Sequence, residues 1–285
     1  GWLSQPVGQL NAAIQEYHYL ATRGVDIRPW FNPITHDDSW IVSDEGGGAY
    51  VEQHAINAKA VEYNPLLIVG DELWRDTTVE VKVKPLSFDH FCGVVFRYRT
   101  NRHYYLFGLY EGKTARLVIR QPYDKAFRTA DWRELKRVDF PYDVKHYYAL
   151  RVENDGPRVR AYIDGRLILE TSDSELTQGK AGIAANAPAR FMEFAVTTAH
   201  ANAARIEKDI AAREAELKRL QDANPKPVLW KKFETPGYGA GRNVRFGDLN
   251  GDGVPEMLIA QNIPRVRSDA FDHISCLTAV TLGGK

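Results

Sequence analysis

The run Asp248-Leu249-Asn250-Gly251-Asp252-Gly253-Val254-Pro255-Glu256 carries oxygen-bearing side chains at alternate positions. Asp248, Asn250, Asp252 and Glu256 stand at i, i+2, i+4 and i+8, and the carbonyl of Val254 falls at i+6. Calcium takes about six to eight oxygens, and one tight loop of this kind can supply most of them. Gly253 permits the sharp turn such a loop needs. An EF-hand loop would place a bidentate Glu at its twelfth position, where Ile259 stands here. Flanking helices are also missing, because residues 244–246 and 257–260 read as strands. The pattern therefore predicts a strand–calcium loop–strand unit, with a metal-free Asp/Asn/Gly turn as the alternative.

A second set of residues suits ligand binding. Arg97, Arg116, Arg151 and Arg160 fall on the polar side of alternating strands, and Tyr162 joins them. A guanidinium fork matches a carboxylate, and an aromatic ring matches the face of a sugar. A groove for a uronate-containing glycan would carry such residues. The competing expectation is a solvated sheet face with these arginines paired to Glu80, Glu153 and Asp164. Strand order decides between the two, and the sequence alone does not give it. The histidines show no HxH or HExxH spacing. Asp37-Asp38 and Asp44-Glu45 with Gly46–Gly48 could form a second cation loop or a solvated one. There is no GxSxG, P-loop or CxxC motif, so no catalytic residue can be picked out and enzymatic activity stays open.

The elements that must position these residues are mostly strands. Val79, Val81 and Val83 alternate with Thr78, Glu80, Lys82 and Lys84. Val94, Phe96 and Tyr98 alternate with Val95, Arg97 and Arg99, and Ala115, Leu117 and Ile119 with Arg116, Val118 and Arg120. Tyr148, Leu150 and Val152 alternate with Ala149, Arg151 and Glu153, and Val159, Ala161 and Ile163 with Arg158, Arg160 and Tyr162. Period-two patterning marks half-buried strands. Asn154-Asp155-Gly156 and Asp164-Gly165 supply hairpin turns, since Asn and Gly tolerate positive φ. Short antiparallel strands without interleaved helices predict a two-sheet sandwich. Residues 199–222 hold neither Gly nor Pro and are rich in Ala, Glu, Lys and Arg, which predicts a helix. Its apolar residues Ile206, Ile210, Leu217 and Leu220 make one narrow stripe, and Asn224-Pro225 ends it. At 1.5 Å per residue it would span roughly 35 Å, enough to cross a domain face or to separate two domains.

Gly70-Asp71-Glu72-Leu73-Trp74-Arg75-Asp76, Gly93-Val94-Val95-Phe96-Arg97-Tyr98 and Tyr104-Tyr105-Leu106-Phe107 resemble the concanavalin A-like, laminin-G-type jelly roll. Ala161-Tyr162-Ile163-Asp164-Gly165 and Gly179-Lys180-Ala181-Gly182-Ile183 are similar to its last hairpins. The strand–loop–strand unit around Asp248 resembles the FG-GAP or VCBS repeat of β-propellers. With Asn243 to Asn262 and Leu277 to Lys285 it is similar to an early blade of rhamnogalacturonan-lyase-like propellers. That resemblance implies Ca2+ as cofactor and acidic polysaccharide as substrate of the parent, with lyase residues outside this chain. A propeller closes with about four to eight blades, so the rest of one is expected beyond Lys285.

The expected organisation is mainly β. Residues 1–35 form an N-terminal extension with a short helix, 36–198 an antiparallel jelly-roll sandwich, 199–225 a helical linker and 226–285 a propeller blade. The 285 residues suffice for two domains. Zero formal net charge argues against a general nucleic-acid binder, and no apolar run is long enough to span a bilayer. Gly1-Trp2-Leu3 lacks the basic start of a signal peptide, as would a mature secreted chain, a cut chain and a cytosolic protein alike. Cys92 and Cys276 sit in different segments and are expected to be reduced. The leading functional expectation is the carbohydrate-binding portion of an extracellular or periplasmic, calcium-dependent polysaccharide-degrading protein. The alternatives are a jelly-roll glycoside hydrolase of the 3-keto-disaccharide type and a structural spacer docked on the propeller.

Overall fold

The computed structural model describes residues 40–45, 48–54, 64–122, 131–229, 232, 244–262 and 274–283. The expected N-terminal extension, the loop pairs Asp37-Asp38 and Gly46-Gly47, and the side chains of Asp44, Glu45 and Cys276 lie outside what is described.

The described chain is mainly β, with antiparallel sheets in a jelly-roll sandwich. Its strands are β1 (Trp40–Glu45), β2 (Gly48–Gln53), β3 (Leu66–Val69), β4 (Thr78–Pro85), β5 (Phe91–Thr100), β6 (His103–Tyr110), β7 (Thr114–Gln121) and β8 (Asp131–Asp139). After these come β9 (Tyr148–Asp155), β10 (Arg158–Ile163), β11 (Arg166–Ser172), β12 (Lys180–Ala185) and β13 (Ala189–Thr197). A helix, α1 (His200–Ala223), follows, and then β14 (Val244–Gly247), β15 (Glu256–Asn262) and β16 (Ile274–Val280).

Seven strands make one sheet in the order β1-β2-β13-β4-β9-β10-β11, and six make the other in the order β3-β12-β5-β6-β7-β8. The core between them holds the residues that alternation assigns to it. Val79, Val81 and Val83 of β4 and Leu150 and Val152 of β9 meet Val94, Phe96, Phe107, Leu117 and Ile119 of the six-stranded sheet. A second apolar cluster covers the opposite face of the six-stranded sheet, with Leu66, Ile68, Val95, Tyr98, Tyr104, Leu106 and Val118. Successive side chains on a strand point to opposite faces, so this sheet is buried on both sides.

The helix packs along the sandwich. Ala203 and Ile206 are buried and Ile210 packs against the core, while Leu217 and Leu220 are exposed. Asp209 pairs with Arg75 at 2.5 Å, and Arg213 binds Asp71 at 2.7 Å and Glu72 at 3.3 Å. Asn202 Nδ2 donates to the carbonyl of Arg75 at 2.7 Å. The chain divides into two compact units, residues 1–220 and 221–285. The second contains the sheet β14-β15-β16.

Candidate functional site

One end of the outer face of the six-stranded sheet opens into a cleft of about 410 Å³. Tyr110 closes β6, Arg116 and Val118 come from β7, and Trp132 and Glu134 come from β8. His90 and Phe91 enter from the start of β5, Glu111 from the turn after β6, and Asn64 and Asn186 from the ends of neighbouring strands. Backbone register puts Arg120 opposite Trp132 and Val118 opposite Glu134, so the β8 side chains stand over the β7 ones. Gly93 and Gly108 are paired beside them. A Cβ on Gly93 would lie 2.2 Å from the Phe107 carbonyl oxygen, which explains the requirement for glycine there.

Trp132 is held edge-on between two rings. Tyr104 lies 5.8 Å from it at 89° and Phe91 5.9 Å at 73°. The Arg120 guanidinium lies 5.2 Å from its ring centre. Trp132 nonetheless remains 40% exposed, while Arg120 is fully buried at 0%. A large ring that is fixed in place and still open to solvent suits stacking. Arg116 lies 4.7 Å from the Tyr110 ring centre. Its Nε donates to Thr114 Oγ1 at 2.9 Å and its Nη2 to Glu111 at 3.2 Å, with Glu134 at 4.0 Å. Glu134 also accepts from Arg137 at 2.9 Å.

Polar groups line the base of the cleft. Asn64 Nδ2 donates to Tyr104 Oη at 3.1 Å, and Asn186 Nδ2 donates to Asn64 Oδ1 at 2.6 Å. Asn186 is only 5% exposed, and its Oδ1 accepts no hydrogen bond from the described residues. Such an acceptor costs about 1–3 kcal/mol until a donor reaches it. Burial raises the Tyr104 pKa against the pull of Arg120 and Asn64, and it raises Tyr110 well above the ordinary range. Both phenols keep their protons and remain hydrogen-bond donors. Apolar walls with a few convergent polar groups are the usual make-up of a small-ligand site, and the volume falls in the usual range of about 300–1,000 Å³.

The structure separates the arginines expected to share one groove. Arg116 lies in the cleft. Arg151, Arg160 and Tyr162 lie on the other sheet, on its outer face. There Arg151 and Arg160 pair with Glu153 at 3.2 and 3.1 Å, and Tyr162 donates to Glu153 at 2.9 Å. Arg151 also stacks on Tyr162 at 4.0 Å and stands 4.0 Å from Glu80. Of the expected alternative, the pairing to Glu80 and Glu153 describes this face, while Asp164 accepts from the Ala149 amide at 2.8 Å. Arg97 is on neither outer face. It has φ of 49° and sits at a register shift between β5 and β6, where alternation breaks. The bulge turns Arg97 inward and leaves it 3% exposed, and it sends Tyr98 to the outer cluster. Its Nη1 donates to the Leu176 carbonyl at 2.9 Å and its Nη2 to the Gly156 carbonyl. Arg97 therefore ties two loops together and is not placed for ligand binding.

The Asp248–Glu256 loop joins β14 to β15, with Gly247 paired to Glu256 at its base. Asp248 turns its carboxylate onto the backbone amides of Gly251 at 2.7 Å, Asp252 at 3.1 Å and Gly253 at 2.9 Å. The amide of Gly253 in particular draws the Asp248 pKa down. Asp252 and Glu256 converge on one point, which Asn250 Nδ2 fills at 3.0 and 3.2 Å. Val254 donates its backbone N–H to Asp252 at 2.8 Å. The oxygens thus surround an amide hydrogen donor, and among the described residues no three His, Cys, Asp or Glu side chains are grouped as metal ligands.

Sequence reasoning missed Trp132, Asn64 and Asn186. An aromatic within the polar strand Asp131-Trp132-Arg133-Glu134 was a readable signal. The two asparagines sit outside regular strands and carry no pattern.

No family model matches the chain, and no curated protein matches it. Solved structures that it resembles are jelly-roll carbohydrate-binding, GH43-type and galectin-like folds. The carbohydrate-binding module CBM66 from Bacillus subtilis is 17% identical, with a TM-score of 0.47 over 60% of this chain and 96% of that one. A xylan β-1,4-xylosidase from Bacillus halodurans is 16% identical, with a TM-score of 0.43 over 61% of this chain and 37% of that one. A Caenorhabditis elegans galectin is 12% identical, with a TM-score of 0.34 over 61% of this chain and 99% of that one.

Proposed function

We propose that the sandwich is a glycan-binding module and that the cleft around Trp132 is its binding site. The observation that carries this reading is Trp132 itself, pinned by Phe91, Tyr104 and Arg120 yet 40% exposed beside Arg116, Glu134 and Asn186. A sugar ring has an apolar face for the indole and a rim of hydroxyls for the polar groups. Affinity electrophoresis in gels cast with polysaccharides tests this. Retention of the native chain that is lost in Trp132→Ala supports it. Equal mobility of both proteins in every gel would sink it.

The wider setting belongs to the same proposal. Such a module would serve an extracellular or periplasmic polysaccharide-degrading protein, a lyase by the first reading, with the β14-β15-β16 unit as one blade of a propeller. Asp248, Asn250, Asp252 and Glu256 would hold Ca2+, with the cation taking the place of the Asn250 N–H between Asp252 and Glu256. Calorimetric titration of the chelated protein should give one calcium site, absent in Asp252→Ala. No heat at millimolar calcium would remove the ion from the account. A second reading, a glycoside hydrolase, is favoured by one observation: Glu111 and Glu134 both line the cleft. Both are ion-paired to Arg116, which suits fixed acceptors better than a proton donor. Release of reducing sugar that Glu134→Gln abolishes would favour the hydrolase.

A further inference from the structure

The charges of the cleft say which glycans it would take. Resting on the glycan-binding reading, we infer that the cleft selects uncharged, hydroxyl-rich sugars and rejects uronates. One feature carries the rejection of uronates and a second the preference for hydroxyls.

The first is that the cation lining the cleft among the described residues is already engaged. Arg116 directs Nη2 at Glu111 and Nε at Thr114, with Glu134 beside it. Its guanidinium is covered by the Tyr110 ring on one face. Nε and Nη2 are thus engaged, and Nη1 is the remaining nitrogen among the described contacts, so the Nε–Nη2 edge is not open to the two parallel bonds by which arginine grips a carboxylate. A uronate placed there would also meet the carboxylates of Glu111 and Glu134, and like charges at close range repel. The other cation, Arg120, is fully buried beneath Trp132, and Arg137 is paired to Glu134. His90 is the remaining titratable side chain among those lining the cleft, apart from Tyr110.

The second feature is the unmet acceptor. Asn186 Oδ1 is buried and accepts no hydrogen bond from the described residues, while Nδ2 of the same amide is fixed on Asn64. A sugar hydroxyl can donate to it. An ionised carboxylate has only lone pairs and cannot. The first feature penalises a carboxylate in the cleft, and the second rewards a hydroxyl placed against Asn186.

The test is affinity electrophoresis at low salt and pH 8 with xylan, mixed-linkage glucan and galactan against polygalacturonate. The native chain is expected to bind at least one neutral polymer at least tenfold more tightly than polygalacturonate. Replacing both carboxylates, Glu111→Gln with Glu134→Gln, frees Arg116. The ratio of polygalacturonate to neutral-polymer affinity should then rise at least tenfold and fall again with added salt. Binding of polygalacturonate by the native chain as tight as that of every neutral polymer overturns the inference and leaves the glycan-binding reading standing. So does an unchanged ratio in the double variant. Binding to none of the polymers overturns the glycan-binding reading and this inference with it.

Discussion

The two sheets of the sandwich share one core and differ on their outer faces. On the seven-stranded sheet, β4, β9 and β10 alternate buried and half-buried positions almost without a break. Their outward side chains form a lattice of opposite charges, with Lys82 on Glu193 at 2.6 Å, Arg158 on Glu170 at 2.6 Å and Arg160 on Glu153 at 3.1 Å. On the six-stranded sheet, β5, β6 and β7 are buried nearly throughout. A face whose charges are matched to one another leaves few of them free for a ligand. A face of aromatic rings and buried amides, open at one end, carries the proposed cleft. The difference supports that proposal where the fold alone does not, because a jelly roll hosts many activities.

The largest way to break this comparison is at Arg97. Arg97→Ala removes charged hydrogen bonds to the carbonyls of Leu176 and Gly156 and leaves both acceptors without them. The expected cost is about 3 kcal/mol, read as a lowered urea midpoint with unchanged slope. If Arg97 instead served an exposed binding face, stability would hold and only ligand affinity would fall. The next effect is at the rings. Trp132→Ala should weaken glycan binding about fivefold to about 100-fold, on the scale of about 1–3 kcal/mol that an aromatic ring contributes when it stacks on a nucleobase. Tyr162→Ala, on the charged face, should leave binding unchanged. Equal losses in the two variants would move the site or divide it.

What the sequence showed depended on how simply each strand obeys alternation. For β4, β9 and β10 one side is core and the other is water, so Val79, Leu150 and Val159 could be assigned on sight. For β7 the same rule put Arg116 and Arg120 correctly on the outer face, but it left that face open between a ligand groove and a solvated surface. Arg120 is in fact fully buried. Burial of a second face needs a cover, and alternation within one strand carries no information about covers. At Arg97 a single bulge reversed the side chain, and a bulge leaves no mark in the pattern of apolar residues. The cleft was hidden for a related reason. Its residues come from Asn64 to Asn186, and only strand order brings them together. The expected helix showed plainly because propensity and apolar stripe agree, yet its stripe divides into a buried half at Ile206 and an exposed half at Leu217. The loop at Asp248 was legible as a turn of converging oxygens, because all of its parts lie within one short run.

Acid should act on two carboxylates at the rim of the sandwich. Burial raises the Asp71 pKa, but the hydrogen bond and charge of Arg213 and the amide of Leu73 outweigh it and hold the value below the ordinary range. Asp173 is lowered in the same way by Tyr105, the Glu175 amide and Arg133. A carboxylate whose folded pKa is depressed stabilises the fold above its unfolded value, about 3.9, and that contribution is lost as pH falls through the folded value. Stability should therefore be steady from neutral pH to about 5 and drop below about 4. Urea midpoints measured from pH 7 to pH 3 follow this. In Asp71→Asn with Asp173→Asn the acid limb should be shallower and the neutral stability lower. An acid limb unchanged in that variant would assign it to other carboxylates.

The smallest expected effect tests the charged face directly. Arg160 is about one-third exposed, and its partner Glu153 also holds Arg151 and Tyr162. Arg160→Ala therefore removes one cation from a lattice that keeps another beside the same carboxylate. Exposed ion pairs contribute about 0.2–1 kcal/mol, so the variant should lose no more than about 0.5 kcal/mol. The loss should shrink further in concentrated salt, where the Debye length falls to about 3 Å. Polygalacturonate retention should be the same in Arg160→Ala as in the native chain, since Glu153 and Glu80 together already balance Arg151 and Arg160. A matched pair of urea curves at low and high salt and one gel decide it. A loss above about 2 kcal/mol would mean that the lattice supports the sheet as a buried network would. A clear loss of polygalacturonate binding would return the acidic glycan to the seven-stranded sheet and give the two faces of the sandwich separate ligands.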